Sequence, residues 1–455
     1  MSKHLNRRSW LKFVGLTGLG SGVLPSVANR AGAQSVGEGD GFQSSVIQER
    51  CGEFTGDNAG LIGGKVVQPA RELPVLSETD VLVVGGGPAG VSAAIAARRA
   101  GAKVTLVERY GHMGGLWTGG LVLLILGHIV RGGKQVCQGI GEEMMQRLDR
   151  MPGAIINRRP GTNPTVDAEA VKYLMVEMIE EAKVDIFLHC LGVEAILDGK
   201  AVRGAVFESK SGRQAILAKV VVDATGDGDM FASAGAAFEH RAHNIGLVSR
   251  IGNLDRIDKA AAGRAKPRRM GGGTPVKGVN WVNMTGPEAD GLDVATLTRM
   301  EMNHRKFIWK NLQKTRQMPG YDPLCLLETA PQLGVRITRI LHGLNRIRLD
   351  DLKKGTRFPD VIGVGGASNA KHDEWQIPYG ALVPETVDNV LAAGRCVNCE
   401  IRMADLVRLI PNCFVTGHAA GVAAAVAAGT DRTPRDVDVS KVQGILRDQK
   451  AYLGE

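Results

Sequence analysis

The residues best suited to chemistry are the glycines of residues 83–90, V-V-G-G-G-P-A-G. Gly85 permits a tight turn out of a strand, Gly87 leaves room for a pyrophosphate, and Gly90 lets a helix pack close to the strand. The N-terminus of that helix offers free amides to the phosphates. Glu108, which closes the next apolar strand, is placed to accept hydrogen bonds from both ribose hydroxyls and disfavours a 2′-phosphate. The sequence therefore predicts a dinucleotide site at which NADP is disfavoured.

Three later features favour FAD over NAD at this site. Residues 111–120 (G-H-M-G-G-L-W-T-G-G) follow the ribose acid and can pass close to an extended diphosphate and a flavin. Residues 223–229 (D-A-T-G-D-G-D) end an apolar strand. Residues 390–395 (V-L-A-A-G-R) are paired with the start of a helix at 411–421 (P-N-C-F-V-T-G-H-A-A-G).

Together these segments resemble the bacterial FAD-dependent oxidoreductases with a glutathione-reductase type flavin domain, which are distantly similar to fumarate reductase flavoproteins. The resemblance extends from about Asp80 to Leu453. It implies a doubly wound, Rossmann-like α/β FAD domain with an inserted mixed α+β substrate domain. The implied FAD-binding residues are Gly85, Gly87 and Gly90 at the diphosphate, Glu108 at the ribose, Gly114, Gly115 and Thr118 along the pyrophosphate and flavin, Gly226 and Asp227 at the second strand end, and Gly394, Arg395 and Gly417 over the ribitol and flavin.

The substrate side is predicted from Arg336, Arg339 and His372. The two arginines resemble a paired-arginine segment of the family, and their i, i+3 spacing would place them on one helical face. They could clamp a carboxylate or polar substrate, or be structural and pair with acids. His372 is the candidate acid or base for proton movement, with a surface loop histidine as the alternative. The residues after Arg339 match the family poorly.

Several other residues each have a chemical and a structural interpretation. His112 lies roughly where distant relatives attach flavin covalently, but an ordinary loop histidine is the simpler interpretation. His240 and His243 have the spacing of metal ligands without a third ligand, so no metal is predicted. Cys396 and Cys399 form a C-x-x-C that could be redox active. The chain has seven cysteines at irregular spacing, which argues against a disulfide framework. A structural role is predicted for Cys396 and Cys399.

The resemblance has one departure beside the cofactor helix. Relatives more often carry glutamine at the position of His418. Either side chain can donate a hydrogen bond, so binding is expected to persist while the pH response of the site could differ.

Alternating strands and helices must position these residues. Periodicity predicts a strand–helix–strand unit over 80–108, a meander over 193–222, and a final strand and alanine-rich helix at 390–395 and 416–429. The predicted organisation is a signal peptide (1–33), a linker (34–78), the first part of the FAD domain (79–230), the substrate domain (231–385), the second part of the FAD domain (386–432) and a C-terminal helix (433–455).

The first 33 residues have the three parts of an export signal. Arg7 and Arg8 precede a glycine-diluted apolar run that ends in Ala31-Gly32-Ala33. The pattern resembles a bacterial twin-arginine signal and predicts the periplasm, with a Sec signal or an uncleaved anchor as alternatives. Without this segment 51 basic and 47 acidic residues remain, a net charge of +4. This small charge, and the expectation that no basic run carries interleaved aromatic residues, give little support to nucleic acid or a membrane as a partner. The N-terminal apolar run is too short and too weakly apolar for a stable membrane span.

The predicted function is that of a FAD-dependent oxidoreductase. It would take a hydride from a C–H or C–N centre of a small substrate and pass electrons to a separate protein, quinone or dioxygen. The sequence has no second NAD-binding fingerprint, which disfavours direct turnover of NAD(P)H. Alternatives are reduction of an activated double bond, as in fumarate reductase relatives, and a non-enzymatic flavin carrier or electron-transfer subunit.

Overall fold

The structure, a computed structural model, describes residues 59–454 except 160, 265–266, 268–269 and 368–371. The predicted signal peptide and most of the predicted linker lie outside the described residues. The helices are α1 (Pro88–Arg99), α2 (Ile140–Asp149), α3 (Ala168–Glu181), α4 (Asp229–Ser233), α5 (Lys259–Ala262), α6 (Val294–Arg316), α7 (Leu349–Lys354), α8 (Ile401–Val407), α9 (Ile410–Thr430) and α10 (Val439–Asp448).

The strands are short except where they build the main sheet. They are β1 (Gly60–Ile62), β2 (Lys65–Val67), β3 (Val75–Val84), β4 (Val104–Val107), β5 (Ile155–Ile156), β6 (Thr165–Val166), β7 (Asp185–Phe187), β8 (Leu191–Asp198), β9 (Ala201–Ser209), β10 (Gly212–Asp223), β11 (Phe238–His240), β12 (His243–Asn244), β13 (Ser249–Gly252), β14 (Gly272–Gly273), β15 (Asn280–Val282), β16 (Glu288–Ala289), β17 (Cys325–Thr329), β18 (Arg339–Leu341), β19 (Val361–Gly365), β20 (Trp375–Pro378) and β21 (Val390–Ala392).

The largest sheet in the described part of the chain has seven strands. Its order is β7-β4-β3-β10-β9-β8, and β21 also pairs with β10. Four of these pairings are parallel, and only β8 and β9 run antiparallel to their neighbours. Strand β10 holds two partners along one edge, since its residues 212–217 pair with β9 and its residues 221–223 pair with β21. This mostly parallel sheet confirms the predicted α/β class.

The unit β3–α1–β4 forms at the predicted place. Residues 81–84 and 104–107 are apolar or threonine and are buried, as expected for parallel strands covered on both faces. Helix α1 begins at Pro88, which suits the first helical position because proline lacks an N–H. Its N-cap, Gly87, makes no side-chain cap hydrogen bond, so the first amides of the helix remain available to a ligand.

Helix α9 packs directly against α1. A Cβ on Gly417 would lie 2.1 Å from the Ala89 carbonyl oxygen, and one on Gly421 would lie 2.1 Å from the Ala93 carbonyl oxygen. These glycines therefore set the short distance between the two helices. By length and composition α9 could cross a membrane, but 83% of its most apolar window is buried inside the protein, as in a core helix.

Residues 231–385 form α6 and several small sheets, of which the largest has the order β14-β15-β13-β17. The boundaries of an inserted substrate domain stay a prediction. The prediction that Arg336 and Arg339 share a helical face is wrong. Arg336 lies in an irregular segment, and Arg339 is the first residue of β18. Pairing of β18 with β11 holds the segment extended, so the i, i+3 argument does not apply.

Candidate functional site

A cleft lies at the carboxyl edge of the main sheet. Four of the five parallel strands, β3, β4, β10 and β21, end there, and the segments that follow them form much of its walls. Ligands of open α/β sheets bind at this edge because the strand-end loops converge there. The cleft has about 920 Å³ of empty space, part of it open to solvent. Its walls include Gly85, Gly87, Glu108, Gly115, Trp117, Gly226, Gln332, Gly394, Arg395 and Arg408.

The loop between β3 and α1 contains glycines with two different roles. Two are required by the fold, and one leaves space for a ligand. Gly85 has a φ of +104°, and a Cβ there would lie 2.5 Å from the Ala224 carbonyl oxygen. A Cβ on Gly90 would lie 1.7 Å from the Gly85 carbonyl oxygen. A Cβ on Gly87 would meet nothing within 4 Å and would project into open space in a residue that lines the cleft. Only Gly87 is therefore explained by space for a ligand beside the N-terminus of α1.

The Glu108 carboxylate is held in a fixed orientation at the end of β4. One oxygen accepts a hydrogen bond from the Gly86 N–H at 2.6 Å, and the other accepts one from the Tyr110 N–H at 2.9 Å. The side chain is buried, yet the residue lines the cleft. Each carboxylate oxygen has a second lone pair, so both can also accept hydrogen bonds from ribose hydroxyls.

An ion pair joins the ends of β10 and β21. Arg395 Nη2 donates to Asp227 Oδ1 at 2.6 Å, and the Thr338 hydroxyl donates to the same oxygen at 2.7 Å. Burial opposes ionisation of Asp227, but the Arg395 guanidinium and the Thr338 hydroxyl outweigh it and hold the pKa below its ordinary value. Gly226 makes room for this pair, because a Cβ there would lie 2.6 Å from Arg395 Nε.

Asp223 organises the loop after β10. Its carboxylate accepts hydrogen bonds from the Met230 and Phe231 N–H groups at the start of α4 and from the Thr225 N–H and hydroxyl. Burial and the nearby charge of Asp229 raise the pKa of Asp223 to about 6. The carboxylate thus shapes the loop and does not line the cleft.

Three buried polar atoms in the cleft walls have no hydrogen-bond partner among the described residues. They are Trp117 Nε1, Gln332 Oε1 and Arg395 Nη1. A buried polar atom left unpaired costs about 1 to 3 kcal/mol, so these two donors and one acceptor favour a polar ligand. FAD has acceptor oxygens on its diphosphate and both acceptors and a donor on its ring edge. The residues present therefore fit this cofactor.

Several of the residues implied for FAD binding shape the walls without lining the cleft. Thr118 is fully buried, and its hydroxyl donates to the Met113 carbonyl oxygen at 2.6 Å. Gly114 has a φ of +107°, and a Cβ there would clash with Thr118 at 2.4 Å. Gly417 lies between α9 and α1. Direct contact of these residues with FAD stays a prediction.

The three predicted catalytic residues are not brought together. Arg339 Nη1 donates to Asp229 Oδ1 at 2.8 Å and to the Asp227 carbonyl oxygen at 2.9 Å, an arrangement that ties β18 to the loop after β10. Arg336 Nη1 donates to the Asn244 carbonyl oxygen at 2.6 Å. His372 accepts a hydrogen bond from the Arg131 N–H through its backbone carbonyl. None of the three lines the cleft, and their catalytic roles stay predictions.

The histidines with alternative interpretations have separate partners. His112 stacks on Tyr110, with ring centroids 5.7 Å apart. His240 Nε2 lies 3.0 Å from Asp290, and His243 Nε2 lies 3.7 Å from Asp405. Among the described residues no group of three or more His, Cys, Asp and Glu side chains could hold a metal ion.

His418 and the C-x-x-C cysteines are buried outside the cleft walls. His418 Nε2 lies 2.8 Å from Gln449 Oε1, which connects α9 to the C-terminal helix, and burial lowers the pKa of His418 to about 4. Cys396 and Cys399 are free thiols. Burial raises the pKa of Cys399 to about 12, which disfavours the thiolate that redox chemistry requires.

Sequence reasoning missed three side chains of the cleft. Trp117 lies within the glycine-rich segment 111–120, but its indole N–H becomes notable only once its burial is known. Gln332 lies four residues before Arg336 and carries no pattern of its own. Arg408 lines the cleft and pairs with Asp405 at 2.6 Å. Its i, i+3 spacing from Asp405 predicts the ion pair but not a place in the cleft wall.

A cleft at the carboxyl edge of a mostly parallel sheet, beside a glycine-rich turn from strand to helix, is the dinucleotide-binding arrangement of Rossmann-type domains. The chain belongs to the FAD dependent oxidoreductase family, whose family model matches residues 80–270 and 253–446. Membership of this family confirms the predicted FAD-dependent oxidoreductase class and the FAD cofactor.

Individual relatives match smaller parts of the chain. A 6-methylpretetramide 4-monooxygenase from Streptomyces rimosus is 31% identical over 164 residues, which cover 33% of this chain and 39% of the relative. A digeranylgeranylglycerophospholipid reductase 1 from Methanopyrus kandleri is 28% identical over 168 residues, covering 33% of this chain and 40% of the relative. The matched region thus spans well under half the length of these curated relatives.

Solved structures with some likeness cover more of the chain at lower identity. A geranylgeranyl bacteriochlorophyll reductase-like protein from Thermoplasma acidophilum is 14% identical, with a TM-score of 0.45 over 82% of this chain and 84% of that chain. The p-nitrophenol 4-monooxygenase from Pseudomonas putida is 12% identical, with a TM-score of 0.42 over 82% of this chain and 85% of that chain. Similarity to fumarate reductase flavoproteins stays a prediction.

Proposed function

We propose that the protein is an exported dehydrogenase that oxidises a small organic substrate and passes the electrons to a separate protein or quinone. The observation that carries the proposal is the cleft, where four strand ends and three unpaired buried polar atoms converge. FAD, when bound, supplies a two-electron acceptor for a hydride.

The chain's own contribution is to bind and orient. Asp227 fixes one nitrogen of Arg395 and leaves Nη1 free to donate to an anionic or carbonyl oxygen. Gln332 Oε1 offers an acceptor for an N–H or O–H group of a ligand. Arg408 adds a second guanidinium to the cleft wall. These groups favour a polar ligand over a purely apolar one.

The test begins with purification of the protein and its absorption spectrum. Flavin absorbance is expected, and acid precipitation should release it, because a covalent link to His112 is the less favoured interpretation. Anaerobic screening of small alcohols, amines and hydroxy acids should then find a compound that bleaches the flavin. A protein purified without any flavin that also fails to bind added FAD would contradict the proposal at its first step.

A second candidate is a reductase reaction, favoured by the names of the two Methanopyrus kandleri relatives. The two reactions differ in which added compound reacts. A dehydrogenase is bleached by its substrate under anaerobic conditions, whereas a reductase that has been photoreduced regains colour when an unsaturated substrate is added. Bleaching that requires a partner protein would instead favour an electron carrier.

Export is the remaining part of the proposal, and it is supported by Arg7, Arg8 and the apolar run that follows them. A cofactor site assembled from residues 83–90 and 390–395 forms only after folding, which suits a route that carries folded proteins. Changing Arg7 and Arg8 to Lys is expected to leave yellow, folded protein in the cytoplasm. Fractionation of the cells checks this, and periplasmic protein without flavin would contradict the twin-arginine interpretation.

A further inference from the structure

Helix α6 exposes several large apolar side chains to solvent. Over 23 residues, only Met300, His304 and Leu312 are buried. Met302, Phe307 and Trp309 are 56%, 47% and 53% exposed. An exposed tryptophan beside further exposed apolar residues indicates a surface that meets an apolar environment.

The second half of the same helix is strongly basic. Residues 306–316 (K-F-I-W-K-N-L-Q-K-T-R) contain four basic residues and no acid. Lys306, Lys310 and Lys314 follow one another at i, i+4 spacing, so they lie along one line of the helix surface. None of the three forms an ion pair with another residue of the described ranges. The segment interleaves lysines with aromatic residues, so the expectation that no basic run does so is wrong.

Phe307 and Trp309 lie on opposite sides of this lysine line. With 100° between successive helical residues, Phe307 is turned 100° from Lys306 in one direction and Trp309 is turned 60° in the other. Phe307 also borders an apolar groove between α6 and the small sheet, lined by Ile251, Met270, Val282, Leu312 and Leu324. The lysine line therefore has one exposed aromatic side chain on each side.

We propose that the second half of α6 docks on the surface of a phospholipid bilayer rich in anionic lipid. The lysines would meet headgroup phosphates, and Trp309 and Phe307 would enter the boundary between headgroups and acyl chains. Tryptophan favours that boundary because its ring is apolar and its N–H is polar. Nucleic acid would satisfy the lysines but would leave the apolar groups on both sides of them in water. This docking does not depend on the proposed oxidoreductase reaction.

The test measures binding of the full-length protein to vesicles by flotation. Vesicles of phosphatidylcholine mixed with phosphatidylglycerol are expected to bind the protein, and vesicles of phosphatidylcholine alone to bind it much less. Added salt should weaken the binding because it screens the lysines. The triple variant Lys306→Gln, Lys310→Gln and Lys314→Gln should bind about a hundredfold more weakly, from about fivefold for each lysine near an anionic surface. Trp309→Ser should also weaken it.

A matched control separates position from net charge. Lys65→Gln, Lys200→Gln and Lys210→Gln remove three exposed lysines elsewhere and leave the same net charge as the test variant. All the proteins share one N-terminal segment, so any contribution from it cancels in the comparison. The control should bind like the wild type. Equal losses in both triple variants, or no binding of the wild type, would overturn the proposal. Self-association that the α6 variants abolish, without vesicle binding, would overturn it in favour of a second copy of the chain.

Discussion

At the scale of single residues, Gly87 and Gly90 distinguish a ligand requirement from a folding requirement. Gly87 has an ordinary φ of −70° and open space beyond it, so Gly87→Ala should cost no more than about 1 kcal/mol of unfolding free energy, the difference between glycine and alanine at a helix N-cap. Its methyl group would stand where the diphosphate must approach, and we expect FAD affinity to fall at least about tenfold. Urea unfolding of the apoprotein and titration with FAD measure the two effects.

Gly90→Ala is the matched comparison. Its methyl group would lie 1.7 Å from the Gly85 carbonyl oxygen, and the resulting separation of α1 from β3 should cost about 1 to 3 kcal/mol of stability. If Gly87→Ala and Gly90→Ala lost equal amounts of stability and both lost FAD affinity, Gly87 would be required by the fold alone.

The Glu108 carboxylate accepts two backbone hydrogen bonds and is predicted to bind the ribose of FAD. One substitution tests how much this arrangement contributes to FAD affinity. Glu108→Gln keeps the size but replaces one acceptor oxygen by an NH₂ group, which faces either the Gly86 or the Tyr110 N–H. The binding free energy of FAD is expected to weaken by about 1 to 3 kcal/mol, which lowers the affinity roughly fivefold to a hundredfold. Flavin fluorescence titration measures it. The control Glu169→Gln, on an exposed acid of α3 paired with Lys172, should bind FAD like the wild type.

At the scale of elements, the close packing of α9 on α1 depends on particular glycines. Gly417→Ala would place a methyl group 2.1 Å from the Ala89 carbonyl oxygen, and we expect a loss of about 2 kcal/mol or more. Gly429 lies in the same helix, and a Cβ there would meet nothing within 4 Å. Gly429→Ala should therefore stabilise the protein by up to about 1 kcal/mol, the difference in helix propensity. Urea unfolding compares both variants. Equal effects would mean that the packing distance does not set the choice of glycine.

The elements also show what local pattern can and cannot predict. The unit over residues 80–108 was predictable because its apolar runs, glycines and ribose acid are all local in sequence. The segment around Arg336 was not, because its extended form comes from pairing of β18 with β11, about a hundred residues away. The partners of Arg339, Asp227 and Asp229, are equally distant in sequence. Spacing of charged residues alone cannot reveal such partners.

At the scale of the whole molecule, the sequence predicted which segments meet at the cleft because strand ends of a parallel sheet share one edge. It could not predict Gln332 or Arg408, which reach the cleft from outside the four strand-end loops that follow β3, β4, β10 and β21. Their position depends on how residues 231–385 and helix α8 lie against the sheet. A side chain of this kind has no spacing rule, so only the three-dimensional structure identifies it.

Two buried histidines predict how stability of the whole molecule depends on pH. Burial lowers the pKa of His418 to about 4, and burial together with the Arg158 charge lowers that of His128 to about 4, against an ordinary value of 6.5. Between these values the unfolded chain binds protons that the folded chain refuses, so stability falls as pH falls from about 6.5 towards 4. Each histidine can account for up to about 3 kcal/mol of that loss. Urea unfolding measured across this range should show the decline.

His418→Gln isolates one of the two contributions. Glutamine cannot take up a proton in this range, and its amide can still donate to Gln449 Oε1, the partner that His418 has now. The free energy of unfolding of the variant, relative to the wild type, should therefore rise steadily as pH falls from 6.5 to 4, by up to about 3 kcal/mol. Since His418 lies outside the cleft walls, FAD affinity at neutral pH should be unchanged. Parallel stability curves for the two proteins would contradict a buried, neutral His418, and a change in flavin affinity would place this side chain closer to the cofactor than the packing of α9 allows.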